Sequence, residues 1–339
     1  MKLYAVDPGN RWVKHATPGS PPGSFESISA LVLPSQKVSL NKNSIAVTYT
    51  AGTENLVGKT WVAGSSAHDY QGQRTYLKDK ADVIPLLVLA AIEPPADSKA
   101  IDLQALYISH PQPDLVRDRV EQALVGIHQY TRHTAAGAID LTLRIQSVTV
   151  LPEGHGSIQI ALRRGLLAQA EGGYVGCLDI GGGTVIGSLW QGDREIAAGR
   201  VVLEKAGSYG LADRIAKDPR MQQMMGGRGY AKADLIMDGI AAQTFYYGRT
   251  GTDYRQIFED HKPLWWQSIT DEITAAWSHW IAEVDLILVT GGAAPLLTRA
   301  IESSDGWLQL CPDAQIANVL GMLPTASEPA AKVSRMRAA

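Results

Sequence analysis

Several features that would make an assignment quick are scarce or missing in this sequence. Only two cysteines, Cys177 and Cys311, occur in 339 residues, so neither a disulfide framework nor a multi-thiolate metal site can be built. No stretch reaches the roughly 18 uninterrupted apolar residues of a membrane-spanning helix. The opening MKLYAVDPGN is interrupted by Asp7 and Pro8 before an apolar run long enough for a secretion signal develops. Basic charge is not in excess either. Thirty-one basic against 34 acidic side chains leave a formal charge of −3, which excludes a broadly basic nucleic-acid-coating protein. No G-x-G-x-x-G follows the first strand, and no G-x-x-x-x-G-K-[ST] occurs anywhere. What is present is ordinary globular composition, 45% hydrophobic and 19% charged, which argues against disorder over most of the length. The length suggests two compact units of about 100–200 residues each. The expectation is a reduced, cytoplasmic protein of two lobes.

Hydrophobic patterning then orders the chain. Residues 2–6 and 12–16 are short and β-prone. The Asp7-Pro8-Gly9-Asn10 stretch between them reads as a tight turn, in which Gly9 and Asn10 tolerate positive φ. Residues 17–24 are a loop by composition. Residues 35–80 are polar and without helical period, and read as a small insertion of short strands and loops. Apolar residues crowd 81–92, which predicts a buried helix entered at Pro85 or just before it. A strand at 105–109, a helix from 113 to about 131 and a strand at 145–151 continue the pattern of an α/β layer. The same grammar restarts with strands at 174–180, 184–190 and 195–203, helices over about 207–283, and a strand at 286–290. In the last helix Ile269, Ile273, Trp277, Trp280, Ile281 and Val284 fall on one face. Identity between the halves is negligible, yet strand, aspartate, glycine turn and strand open both. Residues 325–339, with Lys332, Arg335 and Arg337, read as a flexible tail.

Four short constellations carry chemistry. In Asp7-Pro8-Gly9-Asn10 a strand-end carboxylate adjoins a turn whose N–H groups suit phosphate oxygens, and Lys14 lies seven residues on. In Asp179-Ile180-Gly181-Gly182-Gly183-Thr184, three successive glycines are conformationally costly and make sense where a ligand presses on bare backbone. In Thr290-Gly291-Gly292-Ala293 a strand ends in small residues that offer a flat surface to a planar ring. In Pro152-Glu153-Gly154 a carboxylate closes the last strand of the first half, where it could orient a water. Taken singly, each has a plainer reading: a solvated hairpin aspartate, a tight turn, an ordinary α/β strand end, a solvated glutamate. Their order along the chain is what distinguishes them.

In that order they resemble the actin-like ATPase superfamily. Residues 7–14 match its first phosphate motif, including the aspartate-to-lysine spacing; residues 179–184 match the second, and Gly291-Gly292-Ala293 the adenosine motif. The resemblance runs from residue 2 to about 323. Glu153 with its flanking Pro and Gly, the helix start marked by Gly207, Leu211 and Ile215, and residues 317–321 are similar to bacterial plasmid-segregation actins of the ParM/StbA type. The resemblance implies an α/β fold of two duplicated ribonuclease-H-like lobes with a nucleotide cleft between them. The N-terminal lobe would span 1–168, with a small inserted subdomain at about 35–80, and the C-terminal lobe 169–308. A return segment at 309–325 would pack on the first lobe, followed by the tail at 326–339.

The resemblance also implies roles. Asp7 and Asp179 would hold Mg²⁺, largely through water. Gly9, Asn10, Gly181, Gly182, Gly183 and Thr184, with Lys14, would bind phosphates. Glu153 would position the attacking water, and Gly291, Gly292 and Ala293 would pack against adenine and ribose. Further ribose contacts would fall within 204–240, where GGRGYAKADL departs from the family and no residue is assigned. The ligands would be ATP and ADP, with GTP left open. The implied activity is a slow ATPase coupled to polymerisation, with the chain itself as partner in a filament and a DNA-bound adaptor linking it to plasmid DNA. DNA contact would be indirect. Two rivals use the same fold: a small-molecule kinase, for which no added substrate domain is seen, and a shape-determining or membrane-linked filament anchored by the basic tail. The Ser109-His110-Pro111 stretch lacks triad partners and reads as structural.

Overall fold

The computed structural model describes residues 2–75, 79–95, 98–170, 172–226 and 229–324. The chain divides into two units, residues 1–164 with 316–339, and residues 165–315. The tail at 326–339 and its basic side chains lie outside the described residues.

The first unit begins with β1 (Leu3–Pro8), β2 (Trp12–Ala16), β3 (Gly23–Glu26), β4 (Ile28–Val32), β5 (Ser44–Ala51), β6 (Thr60–Gly64) and β7 (Gln73–Arg74). It continues with α1 (Lys80–Ala91), β8 (Ala100–Leu103), β9 (Ala105–His110), α2 (Pro113–Leu124), β10 (Gly126–Thr134), β11 (Gly137–Ile145), β12 (Val148–Pro152) and α3 (His155–Arg163). One sheet has the order β12-β9-β1-β2-β3. In it β1, β2 and β3 form an antiparallel meander, while β9 and β12 run parallel to β1.

A second sheet of seven strands, β7-β4-β6-β5-β10-β11-β8, accompanies it. The expected small insertion at 35–80 is therefore only part of a larger layer that also recruits 126–145. The helix expected from 113 to about 131 stops at Leu124, and β10 follows at once. The reason lies in the inward positions of β10, His128, Tyr130 and Arg132, which are polar-tipped and so mask the period of two. Likewise 145–151 is the end of one strand and the start of another.

Helix α1 is packed against strands of both sheets, and a single core cluster joins it to residues of each. It is apolar almost all round apart from the exposed Asp82, as a helix buried on nearly every side must be. It starts at Lys80, capped by the Asp79 side chain accepting from the Ala81 N–H at 2.9 Å, so Pro85 lies inside it and not at its entrance. An internal proline costs about 3 kcal/mol. Burying Val83, Ile84, Leu87, Val88 and Leu89 returns roughly 1.5–3 kcal/mol each, so burial wins. Trp61 Nε1 donates to the Leu86 carbonyl at 3.0 Å and the Tyr4 hydroxyl to that of Ala91 at 2.8 Å, tying the helix to both sheets.

The second unit holds β13 (Tyr174–Ile180), β14 (Thr184–Gln191), β15 (Arg194–Glu204), α4 (Ser208–Lys217), α5 (Pro219–Met224) and α6 (Ala233–Ala241). A short hairpin, β16 (Tyr246–Tyr247) and β17 (Thr252–Asp253), interrupts the expected helical run. Then come α7 (Arg255–Ala276), β18 (Val284–Thr290), α8 (Thr298–Glu302) and β19 (Leu308–Leu310). Its sheet has the order β15-β14-β13-β18-β19, again a three-stranded antiparallel meander followed by two parallel strands. This repeats the β12-β9-β1-β2-β3 sheet strand for strand.

On α7, Trp265, Ile269 and Ile273 are buried, as is Trp277 just beyond its end, whereas Trp280 is only half-buried because the helix has already stopped. Gly176 and Gly187 leave the room that the Trp277 indole occupies on the sheet. The second unit keeps residues 308–310 as an edge strand on β18, so the chain returns to the first unit at 316 and not at 309. There α9 (Ala317–Gly321) packs on α3 with backbones in contact: a Cβ at Gly156 or Gly321 would overlap the opposing main chain.

Candidate functional site

In the first unit the chemistry collects at the C-terminal ends of the parallel strands, where open α/β sheets bind ligands. Asp7 is the penultimate residue of β1 and is 5% exposed. Because Val6 pairs with Ile108, the next residue on β9, Ser109, lies beside it and donates from Oγ to Asp7 Oδ1 at 2.8 Å. Lys14, across the hairpin in register with Asp7, donates to Oδ2 at 3.4 Å. Burial by itself would raise the Asp7 pKa. The ammonium charges of Lys14 and Lys80 and the Ser109 hydroxyl outweigh it, and the carboxyl sits below its ordinary range.

Gly9 is not there for a left-handed turn. Neither it nor Asn10 has positive φ, contrary to the expectation from composition. Instead, a Cβ on Gly9 would come within 2.8 Å of the Trp12 carbonyl oxygen, so the turn is too tight for a side chain. Both residues are half-buried.

Glu153 follows β12, two strands from β1 in the same sheet, and its N–H donates to the His110 carbonyl at 3.0 Å. Its Oε1 is 2.5 Å from Lys80 Nζ, with the two side chains 10% and 13% exposed. The first unit thus brings Asp7, Lys14, Ser109, Lys80 and Glu153 to one end of one sheet. Lys80 had no signal in the sequence, since its partner is 73 residues away. Ser109, in a stretch that reads as structural from sequence, serves as a hydrogen-bond donor to Asp7. A groove of about 510 Å³ lined by Lys2, Asp102, Gln104 and Arg144 lies at the opposite ends of these strands, away from the carboxylates.

In the second unit Asp179 takes the matching position, penultimate in β13. None of Gly181, Gly182 and Gly183 has positive φ, so handedness does not explain them. At Gly181 a Cβ would meet the Thr184 carbonyl oxygen at 3.3 Å. The start of α4 lies on this turn, with Ser208 N–H donating to the Gly181 carbonyl at 3.1 Å and Tyr209 N–H to that of Gly182 at 2.8 Å. Those bonds satisfy N–H groups that a helix start otherwise leaves without partners. Within the turn the Gly181 N–H donates to the Thr184 carbonyl at 2.9 Å. Trp265 Nε1 donates to the Ala206 carbonyl at 2.7 Å and braces the same junction.

The third turn abuts the second. Ala293 N–H donates to the Ile180 carbonyl at 2.9 Å, and Gly291, at φ +92°, lies against the Asp179 carboxylate where a Cβ would collide. Gly292 is exposed, with open space where a side chain would be, while Gly291 and Ala293 are buried. Of the three residues expected to face a ring, Gly292 therefore carries the exposed surface.

The chain matches no protein-family model and no curated protein. Solved structures do match it. The actin-like protein Alp7A aligns over 99% of this chain and 99% of its own, with a TM-score of 0.75 at 14% identity. An archaeal actin homologue, Ta0583, aligns over 95% and 98%, with a TM-score of 0.72 at 17% identity. A 15-stranded ParM filament from Clostridium botulinum aligns over 95% and 97%, with a TM-score of 0.71 at 13% identity. The chain has the actin-like fold. The duplicated sheets described above are the ribonuclease-H-like pair on which that fold is built.

The resemblance drawn from the sequence implies a divalent cation, and each unit offers a strand-end carboxylate that would suit one. No group of three His, Cys, Asp or Glu side chains that could hold a metal exists among the described residues, so an all-protein cage is excluded there. Mg²⁺ needs no such cage, since it keeps several waters and takes one or two carboxylates plus phosphate oxygens. Asp7 in the first unit and Asp179 in the second are the carboxylates that the sequence resemblance assigns to it. Both Asp7 oxygens are already engaged by Lys14 and Ser109, which fits contact through water. When bound, the cation neutralises phosphate charge.

Proposed function

We propose that this chain is a nucleotide-dependent, filament-forming actin-like ATPase. The observation that carries the reading is a repeated one: two sheets of the same topology each present an aspartate as the penultimate residue of the equivalent strand, followed by a glycine-bearing turn. Asp7 and Asp179 serve Mg²⁺. Gly9, Asn10, Lys14 and residues 181–184 serve the phosphates, Gly292 with its neighbours serves the base and ribose, and Glu153 orients the attacking water. An ADP complex of Ta0583 and filaments of ParM and Alp12 support nucleotide binding and self-association for this fold. The nucleotide is ATP, with GTP left open; positioning and charge neutralisation supply the catalysis, and a carboxylate acting unaided on water makes hydrolysis slow.

The finer reading is a cytoplasmic segregation filament that reaches plasmid DNA through a DNA-bound adaptor. The slight excess of acidic charge agrees with indirect contact with DNA. No helix among the described residues is long and apolar enough to cross a membrane. The test is electron microscopy with ATP·Mg²⁺, with ADP and without nucleotide, alongside phosphate release at rising protein concentration. Filaments with ATP and turnover that steepens with concentration are expected. Turnover that needs a small acceptor molecule, with no polymer in any nucleotide state, would mean a kinase.

A further inference from the structure

We propose that Lys80 is a positioning residue for Glu153, fixing the carboxylate that orients the attacking water. This inference rests on the reading of the chain as a nucleoside triphosphatase. The 2.5 Å ion pair joins the first residue of α1 to the residue just past β12. The helix position itself does not favour a cation; the carboxylate that does, Glu153, comes from elsewhere in the fold. The N-terminus of a helix carries partial positive charge and disfavours lysine, and burial penalises an ammonium further. An ion pair this enclosed gains little over two well-packed apolar side chains. Placements that break several local rules at once belong to functional sites.

The support behind Lys80 is rigid. Helix α1 is enclosed by two sheets, and its start is pinned by Asp79, which also pairs with Arg119 of α2 at 3.3 Å. A side chain on such a support holds its partner to the tolerance that a reacting water needs. The Glu153 main chain is set by its bond to the His110 carbonyl, and Lys80 sets the carboxylate. In the step served, the water oxygen adds to the terminal phosphorus while the bond to the bridging oxygen breaks. The electron pair leaves on the nucleoside diphosphate, and the water's proton passes through Glu153 to solvent. Lys80 forms no bond and moves no proton.

The experiment measures ATP·Mg²⁺ turnover and nucleotide affinity of the full chain for the unmodified protein, Lys80→Met, Lys80→Arg, Glu153→Gln and the Lys80→Met/Glu153→Gln double variant, with melting curves to check folding. Lys80→Gln replaces Lys80→Met if the latter does not fold. Loss of Lys80 is expected to lower kcat about 10–100-fold, the usual cost of removing a supporting partner, with KM and nucleotide affinity little changed. Lys80→Arg recovers most of the loss. The double variant is no slower than Glu153→Gln alone, because residues acting as a unit are not additive. Lys80 variants at the unmodified kcat beside a slow Glu153→Gln overturn the proposal and leave the ATPase reading intact, as do losses that multiply in the double variant. An unmodified protein that hydrolyses no nucleotide overturns both.

Discussion

A carboxylate buried as deeply as Asp7 persists as an anion only when cations and donors surround it, and the first unit supplies two lysines and a serine. Glu153 differs in having its ion pair on a helix remote in sequence. Replacing Glu153 by Ala is expected to slow phosphate release by about 10²–10⁴-fold, the range for a positioned general base, while filaments formed with ATP persist; single-turnover assays and micrographs check both. Gly207 tests packing in isolation. Its φ of −63° suits any residue, so the cost of Gly207→Ala is steric, from a Cβ pressed against the Gly181 and Gly182 main chain. A loss of about 1–3 kcal/mol is expected in urea unfolding.

His15 makes a third prediction at this scale. It is buried, it contacts the Tyr4 hydroxyl at 3.0 Å and it stacks on that ring. Burial lowers its pKa below 6.5, with Glu93 opposing and Arg132 assisting. The unfolded chain therefore takes up the proton first as pH falls, and stability is lost from about pH 6.5 downward. Melting temperature against pH should show this fall, and His15→Gln should lessen it, with His128 and His133, whose pKa values burial also lowers, supplying the rest. Loss caused by protonating the Asp7 carboxyl comes only at more acidic pH, because that pKa is depressed.

At the scale of elements, what was legible followed from period and punctuation. The meander β13–β15 reads directly from its apolar runs and glycines, and the aspartates at the ends of β1 and β13 from the turns beside them. The seven-stranded sheet did not. Its strands come from three separate stretches of chain, and inward His128, Tyr130 and Arg132 look polar although they are buried. The purpose of the glycines was legible only in part. Gly9 signalled unusual backbone, but the demand there proved to be close approach and not positive φ, and positive φ does not account for Gly181–Gly183 either. The α7 face was foreseen up to Trp277, whose indole fills the space that Gly176 and Gly187 leave on the sheet and donates to the Gly199 carbonyl at 2.7 Å. Trp277→Ala should cost about 3–5 kcal/mol, read as a lowered midpoint in urea.

For the molecule as a whole, binding and stability are linked. ATP·Mg²⁺ at 100 times its dissociation constant should add about 2.7 kcal/mol to the stability of the folded chain, seen as a raised melting temperature that Asp7→Ala or Asp179→Ala abolishes. Unchanged melting across a wide range of nucleotide concentration would remove nucleotide from the account.

Chain order has one more consequence. The cluster of Ala5, Ala16, Tyr107 and Leu151 is completed by Val319, Met322 and Leu323, which emerge from the ribosome after all of residues 165–315. The portion synthesised first is thus the last to be finished. A nascent chain stalled before residue 316 would carry a naked seam along α3, sticky toward chaperones and toward other unfinished copies, until α9 arrives to seal it.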